Sequence, residues 1–242
     1  MTINDNLKNK IIMNLFEDIA SRVLYEDNHL IVINKKPSEI VQGDKTGDVP
    51  LSEKIKEYLK IKYKKTGNVF IGVVHRVDRP VSGCVIFAKT DKALTRMNKL
   101  IHDRQIKKIY WAIVKNKPPK ESDRIVHYLS KNEKQNKSYS VKPDAKTALK
   151  AELEYNVIGK SDNYYLLEVE LFTGRHHQIR AQLAEIGCPI KGDLKYGFPR
   201  SNPDASIHLH ARKIEFIHPV SKEIIKVVAP LPDEAMWNYF SR

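Results

Sequence analysis

Cysteine is scarce in this 242-residue chain: there are two, Cys84 and Cys188. Two thiols so far apart make neither a disulfide framework nor a zinc site. Each lies among apolar neighbours, so both are expected as buried free thiols. Long hydrophobic runs are missing too. No segment approaches the ~18 apolar residues of a membrane-spanning helix. The opening stretch MTINDNLKNKIIMNLFEDIA has acidic residues throughout and no apolar centre, so it reads as neither signal peptide nor anchor. A cytoplasmic location is expected. There is no repeat, low-complexity tract or Gly/Ser linker. Negative charge is in deficit: 42 Lys+Arg against 29 Asp+Glu leave a formal net charge of +13. That excess points to a polyanionic partner, nucleic acid or an anionic membrane surface.

What is present suffices for one large domain, since 41% of the residues are hydrophobic. Leu7, Ile11, Ile12, Leu15 and Ile19 share one side of a helix over 6–20. LIVINK (30–35) reads as a strand running into a KKPSE turn. Asp48 and Pro50 open an amphipathic helix striped by Leu51, Ile55, Tyr58, Leu59 and Tyr63. Residues 70–78 and 83–90 read as strands. Thr90 or Asp91 caps a helix with Ala93, Leu94, Met97, Leu100 and Ile101 inward. Further strands are expected at 109–115, 137–142, 147–158, 164–171, 207–218 and 224–229. Helices are expected at 176–186, stopped by Gly187 and Pro189, and at 232–240. Strands outnumber helices and many are adjacent, which predicts an α+β fold on a mixed, mostly antiparallel sheet with flanking helices and a central cleft. The expected organisation is an N-terminal helical extension (1–22) and one catalytic domain (23–242). With no long exposed apolar stripe, a monomer is expected.

Three clusters could carry chemistry. In HRVDR (75–79) the carboxylate of Asp78 sits between Arg76 and Arg79, where positive charge favours its ionised form. It could be a nucleophile or base, or simply half of an ion pair at a strand end. In TGRHHQIRAQ (173–182), Thr173 or Gly174 opens a helix beside Arg175, a natural phosphate site. His176 and Arg180 would share a face at i,i+4, and the adjacent His176 and His177 would point apart, a poor metal pair. The bland alternative is a solvated polar helix face. In KKIYWAIV (107–114), Tyr110 is either core or a platform on which a base stacks. A fourth segment, PIKGDLKYG (189–197), is a Gly/Lys loop of the kind that lies along a nucleic-acid backbone.

Taken in order, these segments resemble the RluA-type RNA pseudouridine synthases. VLYEDNHLIVINK (23–35), GVVHRVDRPVSGCVIFAKT (72–90), KKIYWAIV (107–114), LFTGRHHQIRAQLAEIGCPIKGDLKYG (171–197) and HLHARKIEFIHP (208–219) carry the resemblance. It implies the pseudouridine synthase fold and conversion of uridine to pseudouridine in ribosomal or transfer RNA, with no metal, no cofactor and no membrane partner. Asp78 matches the family's essential aspartate. Tyr110 matches the tyrosine that packs on the target uracil, and Arg180 the basic residue that pairs with the aspartate. Arg76 matches the arginine that helps displace the target base. Arg175, His177 and Gln178 would support RNA contacts or site geometry, and Arg79 a surface or phosphate contact. Val77 and Val81 replace commoner residues while keeping shape. NKKPSE departs from the usual turn, which leaves the path of that loop open. Many relatives carry an S4 RNA-binding domain; too few residues precede the core here to hold one, so the catalytic domain is expected to recognise the substrate by itself.

Overall fold

Helix and strand alternate at first, and strands dominate later. The computed structural model describes residues 3–241. In chain order the elements are α1 (Ile3–Ala20), β1 (Val23–Glu26), β2 (Leu30–Lys35), α2 (Leu51–Lys62), β3 (Gly72–Val73), β4 (Ser82–Ala88), α3 (Asp91–His102) and β5 (Lys107–Val114). There follow β6 (Ser122–Asn132), β7 (Lys137–Val141), β8 (Leu149–Lys160), β9 (Tyr165–Leu171), α4 (Gln178–Glu185), β10 (Leu209–Ile217), β11 (Ile224–Val228) and α5 (Ala235–Phe240). One sheet runs β1-β2-β4-β10-β5-β9-β8-β6-β7, with β3 added to β4 and β11 to β10. The β4–β10 pair is parallel and the other pairs are antiparallel, the mixed, mostly antiparallel arrangement expected.

The parallel pair is where the sheet forks. β4 and β10 meet where Ser82 lies opposite His210 and Gly83 opposite Ala211. Beyond that, β10 pairs with β11 and the far end of β4 pairs with β3. Gly83 makes the junction possible. Its φ is +109°, and a Cβ there would lie 2.3 Å from the Ala211 carbonyl oxygen. Two lobes result. Around β2 and β4, Ile31, Ile33, Val85 and Phe87 pack with Ile19 of α1 and with Ile55 and Leu59 of α2. Around β5, β8 and β9, Ala112, Leu153 and Val169 pack with Ile179 and Leu183 of α4. Both cysteines are buried and free.

Three elements differ from the sequence reading: β1, whose four residues are all half-buried with no alternation to mark them, the strand at 70–78, and β6. The strand expected over 70–78 is only two residues long. Beyond Val73 the ladder partner is partly a side chain: His75 Nε2 accepts from the Ile86 N–H at 3.1 Å, so the chain leaves the sheet and the HRVDR segment is loop. β6 was missed. Only Ile125 and Leu129 of its eleven residues are buried, too sparse an apolar pattern for an alternation to stand out.

Candidate active site

Asp78 sits at the head of a clamped turn. Its carbonyl accepts from the Val81 N–H at 3.0 Å, Arg79 O accepts from Ser38 N at 2.9 Å, and Pro80 O accepts from Ile207 N at 3.2 Å. Beneath this turn lies Lys35, at 1% exposure one of the most buried side chains in the protein. Its ammonium donates to the carbonyls of Lys36 and Arg79, each at 3.0 Å, and of Val81 at 2.6 Å. Burial pushes its pKa down to about 7.

The Asp78 carboxylate projects from this turn toward α4. It accepts from Arg180 Nη1 at 3.0 Å. Arg180 is itself held from behind: Nε and Nη2 donate to the two oxygens of Asp193 at 2.7 and 2.8 Å. Such a two-bond fork fixes the guanidinium plane, and its remaining edge faces Asp78. Against the effect of burial, Asp193 and Asp78 together raise the arginine's pKa. His177 Nε2 lies 3.7 Å from Asp78. Burial first, and then the nearby Arg180 charge, lower the His177 pKa strongly, so the ring is neutral and Arg180 is the cation that meets Asp78. His177 Nδ1 is 3.0 Å from the Tyr196 hydroxyl, which also accepts from the Ser138 N–H. Tyr110, on the even-numbered face of β5, shares the core with Val81 and with half-buried Val77. Burial, with the Asp78 charge adding to it, raises the pKa of its phenol, so it stays protonated.

The structure thus brings Asp78, Tyr110 and Arg180 to one place. Arg76 lies two residues from Asp78, exposed, with no ion pair among the described residues. Arg79 is exposed and pairs with Asp48 at 2.5 Å. Arg175 keeps part of its guanidinium open, with Nε bonded to Lys150 O.

The remaining expectations change. The helix does not open at Thr173 or Gly174. Thr173 donates to Gln178 Oε1 at 2.7 Å, and the same oxygen accepts from the Arg175 N–H at 2.9 Å. The N–H expected to greet a phosphate is therefore already used. α4 begins at Gln178, after His177 in the left-handed region (φ 52°). That kink turns His176 and His177 together rather than apart, and their rings stack at 3.8 Å. His177 and Gln178 are buried and bonded inside the protein. Their side chains are turned into the protein, with His177 3.7 Å from Asp78. The Gly/Lys loop at 189–197 turns Asp193 and Tyr196 inward. Asp193, Tyr196 and Lys35 escaped the sequence reading. A lone acid next to Gly192 in a lysine-rich loop was the one available signal for Asp193.

Residues 29–185, from β2 to the end of α4, match the family described as RNA pseudouridylate synthase. The chain belongs to that family. It is 33% identical over 238 residues to the ribosomal large subunit pseudouridine synthase C of Buchnera aphidicola, covering 95% of this chain and 73% of the relative. It is 32% identical over 240 residues to an uncharacterized RNA pseudouridine synthase of Chlorobaculum parvum, covering 90% and 73%. The structure titled human RNA Pseudouridylate Synthase Domain Containing 4 has the same fold, with a TM-score of 0.78 at 22% identity over 93% of this chain and 94% of that one. The protein is therefore an RNA pseudouridine synthase, and no helix among its described residues is long and apolar enough to cross a membrane.

Proposed function

We propose that this synthase isomerises specific uridines in structured ribosomal or transfer RNA, with Asp78 as its essential catalytic group. The observation that carries the reading is the chain Asp78–Arg180–Asp193, a partly exposed carboxylate held at 3.0 Å by an arginine that a buried acid locks in place. The name of the Buchnera relative favours a ribosomal substrate.

The reaction breaks the N1–C1′ bond, turns the uracil and joins C5 to C1′; C5 loses a proton and N1 gains one. A carboxylate can attack C1′, add to C6 or remove the C2′ proton. Arg180 orients Asp78 for each of these routes. Tyr110, a protonated phenol beside it, offers a face for the uracil and a donor for its edge. Arg76 is free to fill the gap left by an extracted base, whose unstacking costs a few kcal/mol. Arg79 and Arg175 serve phosphates at the rim. A glycosidase reading needs a second carboxylate facing the first. Asp193 cannot supply it, because both its oxygens are bound to Arg180. A protein that only binds RNA would have no use for an acid so held.

Asp78→Asn keeps the shape and removes the charge. The variant should still bind RNA in a salt-sensitive way, while pseudouridine formation in total RNA drops to background. A wild-type rate in the purified variant would remove Asp78 from the mechanism.

A further inference from the structure

A cavity of about 910 Å³ opens beside the catalytic cluster without including Asp78 or Arg180. It lies within the ~300–1,000 Å³ range of ligand sites. Lys108, Phe172, Gly174 and Arg175 are among its walls. Lys108 precedes Tyr110 by two residues on β5, so the two side chains share a face, roughly 7 Å apart along the strand. Lys108 therefore lies about one nucleotide step along β5 from the platform proposed for the uracil.

The Lys108 ammonium has no ion pair and no hydrogen bond among the described residues. Of the three acids in the same cavity wall, Glu170 and Glu215 stand opposite Ile109 and Lys107, on the other face of the sheet from Lys108, and all three already hold other cations. Glu170 is taken by Lys107 at 2.7 Å, Glu152 by Arg124 and Lys150 at 2.5 and 2.9 Å, and Glu215 by Lys213 and Lys226 at 3.4 and 3.6 Å. Burial, with no acid to offset it, lowers the pKa of Lys108. Lys108 in turn adds to the burial that holds His75 neutral, with a pKa of about 3. Because His75 Nε2 accepts from Ile86, its proton sits on Nδ1. Gly174 completes the arrangement. The one neighbour that a Cβ there would meet is the Lys108 ammonium, at 3.7 Å, so any longer side chain would cover the charge.

We propose that Lys108, reached through the gap at Gly174, binds a phosphodiester of the substrate RNA next to the target uridine, with Arg175 at the rim. This rests on the RNA reading above and assigns a subsite to a cavity that the catalytic residues leave unused. An extended strand would place its reacting base on Tyr110 and the adjoining phosphate on Lys108.

The test is binding of a labelled, uridine-rich single-stranded RNA to the full chain across a salt series, read by fluorescence anisotropy. Lys108→Gln should weaken binding about tenfold and flatten the log–log salt slope by about 0.7. Lys108→Arg should keep the slope. Gly174→Leu, which changes no charge, should flatten it as Lys108→Gln does. In the isomerisation assay Lys108→Gln should raise KM far more than it lowers kcat. An unchanged slope in Lys108→Gln, or equal losses in the Gln and Arg variants, overturns the subsite. Binding is read without turnover, so an absence of pseudouridine formation by the wild type would count against the catalytic reading and leave this one standing.

Discussion

Lys35→Met separates the stability of this enzyme from the placement of the turn that carries Asp78, the proposed catalytic group. The substitution keeps the buried stem and removes the ammonium. Three carbonyls lose a donor, but not equally. Arg79 O keeps the Ser38 N–H. Lys36 is exposed, so water reaches its carbonyl. Val81 O is left as the buried orphan, at a cost of about 1–3 kcal/mol. Against this stands the penalty of burying a charge. A lysine whose pKa falls from 10.5 to about 7 carries roughly 5 kcal/mol of penalty for being charged. That penalty is fully felt below pH 7 and relaxes as pH rises toward 10.5, because the unfolded chain binds the extra proton in that window. The two terms oppose each other and leave a small net change, while the turn loses its anchors at 79 and 81, one and three residues after Asp78. A displacement of ~1 Å in a reacting group costs about 10²-fold in rate. At pH 7 the variant should therefore unfold within about 2–3 kcal/mol of wild type in urea and lose activity by one to two orders of magnitude. Full kcat with unchanged stability would refute the clamp. Loss of cooperative folding would refute the balance of terms.

Gly83→Ala should be among the most damaging single-methyl changes in the chain, since its Cβ would meet backbone at the fork and the φ of +109° is strained for any L side chain. Destabilisation above about 3 kcal/mol is expected; a melting temperature within about 4 °C of wild type would contradict the close approach. Glu26 tests the acid limb of stability. Burial disfavours its charged form, but hydrogen bonds from Lys62, Lys89 and Tyr63 outweigh that and push its pKa down to about 2. Its stabilisation is fully present above pH 4.5 and is lost as pH falls through that window toward 2. Glu26→Gln should flatten the stability profile between pH 5 and 2 in urea unfolding, and a profile parallel to wild type would show that the two lysines do not hold the carboxylate.

Most of the architecture was legible because periodicity reports burial. LIVINK and SGCVIFA, buried almost throughout, announce themselves as strands, whereas β6, with two buried residues, does not. The candidate site was legible in a different way. Asp78, Tyr110 and Arg180 belong to short motifs whose order along the chain carries a family resemblance, and folding brings Arg180 102 positions along the chain to Asp78. What escaped was the layer behind them. Lys35 lies within a run of two lysines beside a turn, where composition predicts solvent; its identity as an anchor depends on three carbonyls, and two of those belong to a turn over forty residues away. Asp193 sits in a loop whose lysines suggest an outer surface, yet it is 1% exposed because Arg180 needs a partner for the edge that Asp78 does not use. Single-residue chemistry names the groups that can react. The groups that hold them still are chosen by three-dimensional proximity, and a charge buried among backbone carbonyls leaves no periodic trace. The same reasoning explains why Lys108 stood out only in the structure: the signal is an ammonium beneath Gly174, on the sheet face opposite Glu170 and Glu215, and no pattern in the sequence records that placement.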